Sequence, residues 1–526
     1  IKDATGINLN VTGFDDSGVD TIEVYQGTNK VKEYTYTGSE TTKEESLQIT
    51  IPFGETHTIT VMVNGETVAQ KEVQNMRYIS TADDMVKFRN IVNAGNNFSG
   101  KYVELLNDID LSSVCSSTKG SFTPIANSLN FAGSFNGNYH TVSNLYISQT
   151  NVSAAGLFGY NSGIIENLIM SNVYIYNYGN QVNLGLQAGS IAGNNSGTVR
   201  NCGVNSGSVT STNTAASPGS SGYRSIRAAG VVGNNSGTVN TCYNRATVYS
   251  QTLKSNGART ECFAAGISGG FGISNLFNCY NAGSVTANGT NAYAGSMVGA
   301  IIWASTDYKT IENCYNVGNI TASGYNSSST RAGSIIGNAT KYLTIRNSYY
   351  TSSAAAYNTG GYGNPTTSSL AKVSATTLQG YANTLGSAIW VNDVYGINNG
   401  YPLLRWQVPQ IQLNKKQEYV SIGEKIKLTV DTSKYSASQT IGTITWTSDN
   451  TSVATVDNSG EVTAVGEGTT TIYATESSYG LKAMMIVNVS KSGAVAIPKV
   501  ENGGYITSNN ATIVLKEDGT VWRSRR

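Results

Sequence analysis

Side chains able to do chemistry are few in this chain, and their spacing argues against catalysis. Only two histidines occur in 526 residues, His57 and His140. His57 follows Glu55 in a predicted hairpin, and His140 sits in Asn138-Tyr139-His140-Thr141, so each reads as a hydrogen-bonded structural side chain. Neither belongs to the His-Glu-x-x-His pattern of a zinc protease helix. No Ser or Cys nucleophile has a base in its sequence neighbourhood. The six cysteines show no Cys-x-x-Cys spacing and no adjacent His, which speaks against zinc. Enzymes that cleave polysaccharides bring carboxylates together in pairs. Here Glu166 and Glu312 share a repeat position but lie four repeats apart, about 19 Å at the strand spacing. Glu261 and Asp307 stand alone. A calcium site around Asp108-Ile109-Asp110 or Asp15-Asp16 lacks the ligand count of a defined motif. The expectation is therefore no catalytic residue, no metal and no cofactor.

The binding signal is geometric. Four long loops, 211–227, 250–263, 287–293 and 322–331, fall at the same place in successive repeats. They are expected to line one side of the molecule. They carry Tyr223, Arg224, Arg227, Arg259, Tyr293, Tyr325 and Arg331, residue types enriched at binding surfaces. Tolerated surface insertions are the plainer account of the same loops.

What positions these residues is a repeat. Ala155–Gly163 (AGLFGYNSG), Ala188–Gly197 (AGSIAGNNSG), Ala229–Gly237 (AGVVGNNSG), Ala265–Gly272 (AGISGGFG), Ala294–Gly299 (AGSMVG) and a segment from Ala332 (AGSIIGN) are variants of one motif. Each is followed by a second motif such as Glu166-Asn167-Leu168, Arg200-Asn201-Cys202 or Glu312-Asn313-Cys314. Successive second motifs are 34, 40, 37, 35 and 34 residues apart. A third strand usually follows, as in Gly207–Thr210 or Gly283–Thr286. Three short strands and three turns per repeat, with no helical period, predict a parallel β-helix whose coils stack because none can bury its apolar face alone. A β-propeller, needing four antiparallel strands per blade, is second choice. Stacking should align Asn167, Asn201, Asn278, Asn313 and Asn347 into an amide ladder. Cys202, Cys242, Cys279 and Cys314 should form a buried column, with Leu168 and Ser348 at its ends and Cys115 and Cys262 outside it. Tyr243, Tyr280, Tyr315 and Tyr349 form a further column whose direction the sequence leaves open.

These motifs resemble the GLUG repeat of secreted Gram-positive surface proteins. So does the run-in, Ile79–Phe88, Leu105–Leu111, Phe122–Ile125 and Phe131–Asn138, and so does the closing Trp390 with Asn399–Trp406. Within the run-in, Thr81 before Met85, Phe88, Ile91 and Val92 predicts a short amphipathic helix ended by Gly95, capping one end of the stack. Trp390–Trp406 is expected to seal the other.

The fold class expected is all-β, a right-handed parallel β-helix flanked by immunoglobulin-like β-sandwich domains. Residues 1–77 show period-two runs and an Asn64-Gly65 hairpin turn, and read as one sandwich. Residues 78–409 form the β-helix. Residues 410–490, through Ile444-Thr445-Trp446, Val453–Val456, Gly460–Val462 and Thr471–Ala474, resemble a group 2 bacterial immunoglobulin-like domain, with Trp446 expected in its core. The resemblance implies a spacer or adhesive module on a cell surface. The tail 491–526 resembles a single partial RCC1-type repeat at Ala511–Trp522.

Composition fits an exported protein. Charged residues are 13% of the chain and the net charge is +1, so neither nucleic acid nor an anionic membrane is a favoured partner. No apolar run reaches the ~18 residues of a membrane span. The chain begins at Ile1 and reads as a mature or trimmed product. A non-enzymatic bacterial surface adhesin or display protein, binding a host or neighbouring-cell glycan or protein, is the function expected. Its rivals are a filament or layer subunit that self-associates through the tail, and a polysaccharide lyase or hydrolase.

Overall fold

The computed structural model describes residues 7–525 except 16, 182–183, 216–223, 254–259, 271–274, 302–307, 326, 362, 395, 409–410, 416, 432–441, 478–480, 491–504, 509–510 and 516–520. The chain divides into two compact units. One holds residues 50–58 and 71–408, the other residues 1–49, 59–70 and 409–526.

The first unit is a stack of parallel β coils. One coil runs through Ile164–Glu166, Ile169–Ser171, Val173–Gly179, Leu186–Gly189 and Ala192–Asn195 before the next opens at Thr198–Arg200. Each strand pairs in parallel with its counterpart one coil on: Ile165 with Val199, Ile175 with Val209, Ala188 with Ala228, Asn195 with Asn235. The coil thus has five short strands, not the three expected. Two motifs taken for single strands each contain a bend. Asn167 bends the first at φ 54°, and the Gly189–Ile191 step bends the second. At that step a Cβ on Gly189 would lie 2.4 Å from the Ala192 carbonyl oxygen and 2.5 Å from the Gly233 nitrogen of the next coil, so only glycine fits.

The first two strands of successive coils merge into a 17-stranded sheet, called here the long sheet. The third strands form a six-stranded sheet from Tyr146–Thr150 to Ile320–Gly324, and the fourth strands another from Ala154–Ala155 to Thr330–Gly333. Inward positions alternate along every strand and fill one continuous core.

Three asparagine ladders tie the coils together. The expected one is present. Asn167 Nδ2 donates to Asn136 Oδ1 (3.0 Å), Asn201 to Asn167 (3.0 Å), Asn313 to Asn278 (3.2 Å) and Asn347 to Asn313 (2.7 Å). Its residues have φ between 46° and 55°, the left-handed region that asparagine tolerates best after glycine. Thr241 occupies the same bend at φ 51°, and there the ladder steps aside: Asn278 donates to Asn240 at 3.1 Å. Two further ladders are fully buried. One links Asn161, Asn195 and Asn235 at 2.7 Å per step. The other links Asn244, Asn281 and Asn316 at 2.9 Å per step and ends on Ser352 Oγ at 3.1 Å.

At the first coils, helix α1 (Ala82–Asn93) plugs the core. Thr81 caps it by accepting from the Asp84 amide, and Met85, Phe88 and Val92 point inward. The Phe88 ring lies 5.1–6.4 Å from Phe53, Phe98, Phe131, Phe135 and Phe158. Asp84 accepts from the Phe53 amide (3.0 Å) and the Ser80 amide (3.1 Å), which satisfies its buried carboxylate.

After the last coil strand, Thr366–Lys372, the chain forms two short helices, Ala375–Gln379 and Ala382–Gly386, and continues through Trp390 to Val408. This strap does not seal an end as expected. It runs back along the outer side of the long sheet and covers the tyrosine column.

In the second unit, Ile7–Phe14 pairs antiparallel with Thr42–Ile49. A four-stranded sheet has the order Asn29–Thr35, Thr21–Gln26, Thr56–Val63, Glu66–Gln74. Asn64 (φ 49°) and Gly65 (φ 82°) make the hairpin turn. The C-terminal part has a four-stranded sheet of Gln417–Ser421, Lys482–Ser490, Gly468–Glu476 and Ile444–Ser448 and a three-stranded sheet of Lys425–Lys427, Glu461–Ala464 and Ala454–Val456. Val453, Val462, Ile472 and Met485 fill the core between them, while Trp446 is half-buried at its margin, against Gly460. Tyr505–Ser508, Ala511–Leu515 and Val521–Arg525 form a separate antiparallel sheet, one strand more than the pair expected.

Candidate functional site

The residues singled out for chemistry are occupied by structure. His140 Nδ1 lies 3.1 Å from Asp108 Oδ1, which also accepts from the Thr141 amide. His57 Nε2 lies 3.3 Å from Glu55. Asp110 caps a 3₁₀ turn and is held below the usual carboxylate range by hydrogen bonds from Asn144 and Ser112. Glu166 pairs with Arg200 at 2.6 Å and Glu312 with Arg346 at 2.8 Å, each one coil on. Asp307 lies outside the described residues. Among the described residues no group of three or more His, Cys, Asp or Glu could hold a metal.

All six cysteines are buried and free. Cys202, Cys242, Cys279 and Cys314 form the expected inward column. Each thiol lies 3.2 Å from the carbonyl two residues earlier, and the Cys242 and Cys279 amides reach the next sulfur at 3.4 Å. Burial pushes the Cys314 and Cys262 thiols up to about 12, so both stay protonated and unreactive at neutral pH.

The loop corner changes more. The third strands extend to Asn213, Thr252, Gly289 and Gly324, and the fourth begin at Arg224, Thr260, Asn291 and Thr330. The loops are therefore shorter than expected, and several of their residues lie in strands. Arg227, Phe263, Tyr293 and Arg331 stand at one register position. Arg227 caps the Phe263 ring at 5.6 Å, Phe263 stacks on Tyr293 at 5.3 Å, and Arg331 lies 5.6 Å over Tyr293. Arg227 is 7% exposed and Tyr293 4%. Contrary to expectation, these two are packing elements, because the strand's alternation turns them into the corner between the fourth and fifth strands. Arg331, over the Tyr293 ring, is half-buried, and Tyr325 is exposed. Tyr223, Arg259 and the Arg224 side chain lie outside the described residues.

The tyrosine column faces outward from the core but not to solvent. Tyr243, Tyr280 and Tyr315 stack at 5.1 and 4.9 Å with ring planes within 8°. Trp390, Leu378, Leu385 and Leu404 of the strap cover them. The Tyr315 hydroxyl donates to the Pro402 carbonyl (2.5 Å), Gln407 reaches the Tyr280 hydroxyl (2.8 Å), and Trp406 Nε1 donates to the Thr241 carbonyl (3.1 Å). The Trp406 ring stacks between Tyr139 and Tyr243, 5.6 Å from each. Gly203 makes room there: a Cβ on it would lie 2.0 Å from the Tyr243 ring.

A face missed by sequence reasoning is the outer side of the third-strand sheet. Its six strands contain no charged residue, in a chain that is 13% charged. Its outward positions are Tyr, Ser, Thr, Asn and Gln throughout, from Tyr146, Tyr174 and Tyr176 to Tyr249, Thr286 and Thr321. The signal was the period-two pattern of these strands, hidden because the repeat motifs drew attention to the Gly and Asn positions.

Comparison with known proteins is informative locally. Residues 407–487 match the bacterial Ig-like domain (group 2). Halomucin of Haloquadratum walsbyi is 35% identical over 127 residues, 22% of this chain and 1% of that protein. Among solved structures, surface layer protein SbsC (domains 1–6) aligns at 25% identity over 22% of this chain and 16% of that one, with a TM-score of 0.14. The IgA1 Protease structure aligns at 12% identity over 70% of this chain and 30% of that one, with a TM-score of 0.31. The chain thus spans a small part of each relative. No helix among the described residues is long and apolar enough to cross a membrane.

Proposed function

We propose that this chain works at the exterior of a bacterial cell as a non-enzymatic adhesive or display protein. The observation that carries the reading is how the coils use their polar groups. Asparagine ladders and the Glu166–Arg200 and Glu312–Arg346 pairs bond one coil to the next. These groups serve as ties between repeats, which suits a stiff scaffold holding a surface in place. The group 2 Ig-like match at 407–487 supports a place on the surface, since such modules serve there as spacers.

Protease shaving of intact source cells, with mass spectrometry of the released peptides, tests the reading. Peptides from 78–408 should appear in the shaved fraction while a cytoplasmic marker does not. Recovery only after lysis would overturn the surface assignment.

A second reading, a filament or layer subunit, has one feature in its favour. The three strands of 505–525 pair with no other sheet among the described residues, which leaves edges for a neighbouring copy. Light scattering across a concentration series should then show assemblies that vanish on removal of 491–526. A constant monomer mass removes this alternative.

A further inference from the structure

We infer that the outer face of the third-strand sheet binds an uncharged polysaccharide chain. The inference rests on the adhesive reading above and names its ligand class and site.

Chemistry is the first argument. Six strands at ~4.8 Å spacing give a surface roughly 24 Å long across the coils. Every outward side chain on it is a phenol, a hydroxyl or an amide. Hydroxyls and amides donate and accept equally, which matches sugar hydroxyls, and no fixed charge has to be desolvated when a neutral ligand lands. A protein partner would be expected to meet charged rim residues beside its aromatic anchors, and the strands of this face offer no charge. An acidic glycan would need cations. Among the described residues, Arg200 and Arg346 stand on the long sheet, Arg245 against the covered tyrosine column, and Arg227 and Arg331 in the corner.

Ring geometry is the second argument. Tyr174 stacks on Tyr146 of the preceding coil at 5.0 Å with planes 8° apart, while the next coil offers only Ser208 at that position. One face of the Tyr174 ring is therefore uncovered, and the residue is 44% exposed. Tyr249 stands between Thr210 and Thr286 in its column, again beside residues too small to cover a ring, and its hydroxyl accepts from Asn288 at 3.2 Å. Tyr174 is exposed and Tyr249 half-buried, and an aromatic face flanked by hydroxyls is what the axial C–H face of a pyranose stacks on.

The third argument is a cleft. A cavity of about 480 Å³ opens at the margin of this sheet, lined by Asn127, Ser128, Gln149, Asn151 and Tyr160 among others, again without a charged residue. Gln149 belongs to the first strand of the sheet, in register with the inward Asn177, and Asn151 follows it directly, so the cleft adjoins the end of the face and adds a second uncharged surface beside it.

Co-sedimentation of the full chain with cellulose, chitin, yeast β-glucan and insoluble starch, alongside gels of alginate and heparin, tests the inference. At least one neutral polymer should retain the chain, equally at low and at 1 M salt. The double variant Tyr174→Ser/Tyr249→Ser should weaken retention at least tenfold with an unchanged circular dichroism spectrum. If that variant misfolds, Thr210→Glu supplies the same test by placing a charge mid-face. No retention on any neutral polymer, retention only on the acidic gels with loss in salt, or full retention by correctly folded face variants would each overturn it. So would light scattering showing that the face is buried in a dimer which the variants dissociate. A chain released by shaving that binds none of the neutral polymers would sink this inference while leaving the surface assignment intact.

Discussion

Two faces of the same solenoid carry tyrosines at repeat positions, and they have opposite fates. On the long sheet, Tyr243, Tyr280 and Tyr315 lie under Trp390, Trp406 and Leu404, between zero and 2% exposed. On the third-strand sheet, Tyr174 and Tyr249 have no such cover. Within one coil, Tyr243 and Tyr249 are separated by a single turn of chain yet belong to different environments. An aromatic column is thus structural or available according to what lies over it. Here the cover comes from far along the chain, through hydrogen bonds spanning 87, 127 and 165 residues.

The largest expected effect tests the covered side. Trp390→Ala should destabilise the solenoid by about 3–5 kcal/mol, as removal of a fully buried indole does. Hydrogen exchange followed by mass spectrometry should show the strap 374–408 and the long-sheet strands losing protection while Tyr146–Thr150 and Val173–Gly179 keep theirs. A loss below about 1 kcal/mol would mean that the strap is a passenger and that the two faces differ only in appearance.

Alkaline pH probes the same contrast. Burial raises the phenols of Tyr280, Tyr315 and Tyr243 above their ordinary value near 10. The folded chain keeps protons that the unfolded chain releases. The stability this provides is complete below about pH 10 and is lost as the pH rises beyond it. The raised thiols of Cys262 and Cys314 act in the same direction from about pH 8.5 upward. Thermal midpoints measured from pH 7 to pH 11 should therefore hold and then fall, with a shallower fall above pH 10 in Trp390→Ala. A flat profile to pH 11 would show that the column is not sealed.

These contrasts also mark what the sequence could reveal. The repeat spacing located the coils because each Asn-centred bend demands a left-handed residue, a local constraint that asparagine meets, and the Cys column followed from the same register. The helix at Ala82–Asn93 was legible from its cap and apolar period. The five-strand coil was not, because bends at Asn167 and at Gly189–Ile191 interrupt strands without interrupting the period-two pattern. Two of the ligand residues expected on loops, Arg227 and Tyr293, proved buried for a related reason. Strand pairing carries Arg227 and Tyr293 into the ladder, and their burial depends on neighbouring coils. The tyrosine column's direction was undecidable because its cover lies beyond any local window.

Asparagine repeats the comparison on a smaller scale. Asn281 is fully buried, donates to Asn316 and accepts from Asn244, both at 2.9 Å. Asn288 sits on the outward face, where its amide donates to the Tyr249 hydroxyl at 3.2 Å. Asn281→Ala should cost about 1–3 kcal/mol, since both neighbours lose a partner with no water to replace it. Asn288→Ala should change stability by no more than about 0.5 kcal/mol. Urea denaturation of the two variants side by side reads the difference directly, and equal losses would make the outer face as structural as the ladders.

The smallest effect is the most telling for the open face. Tyr174→Ser should leave stability within about 0.5 kcal/mol of the parent chain. The chain itself makes this substitution one coil later. Tyr174 is in register with Ser208, which is followed by Thr247, and the parallel pairing continues through both without a bulge. Under the strap the column stays tyrosine from Tyr243 to Tyr349; before it stands Gly203, where the Tyr243 ring and Trp406 need the space, and after it Ala371. A residue whose fold-level job can be done by serine, but which is a half-exposed aromatic ring, is held there by something other than folding. A thermal scan of Tyr174→Ser decides between the two. A midpoint matching the parent leaves binding as the reason for the ring, whereas a drop of several degrees would make Tyr146–Tyr174 stacking a structural clasp and bring the two faces back to one role.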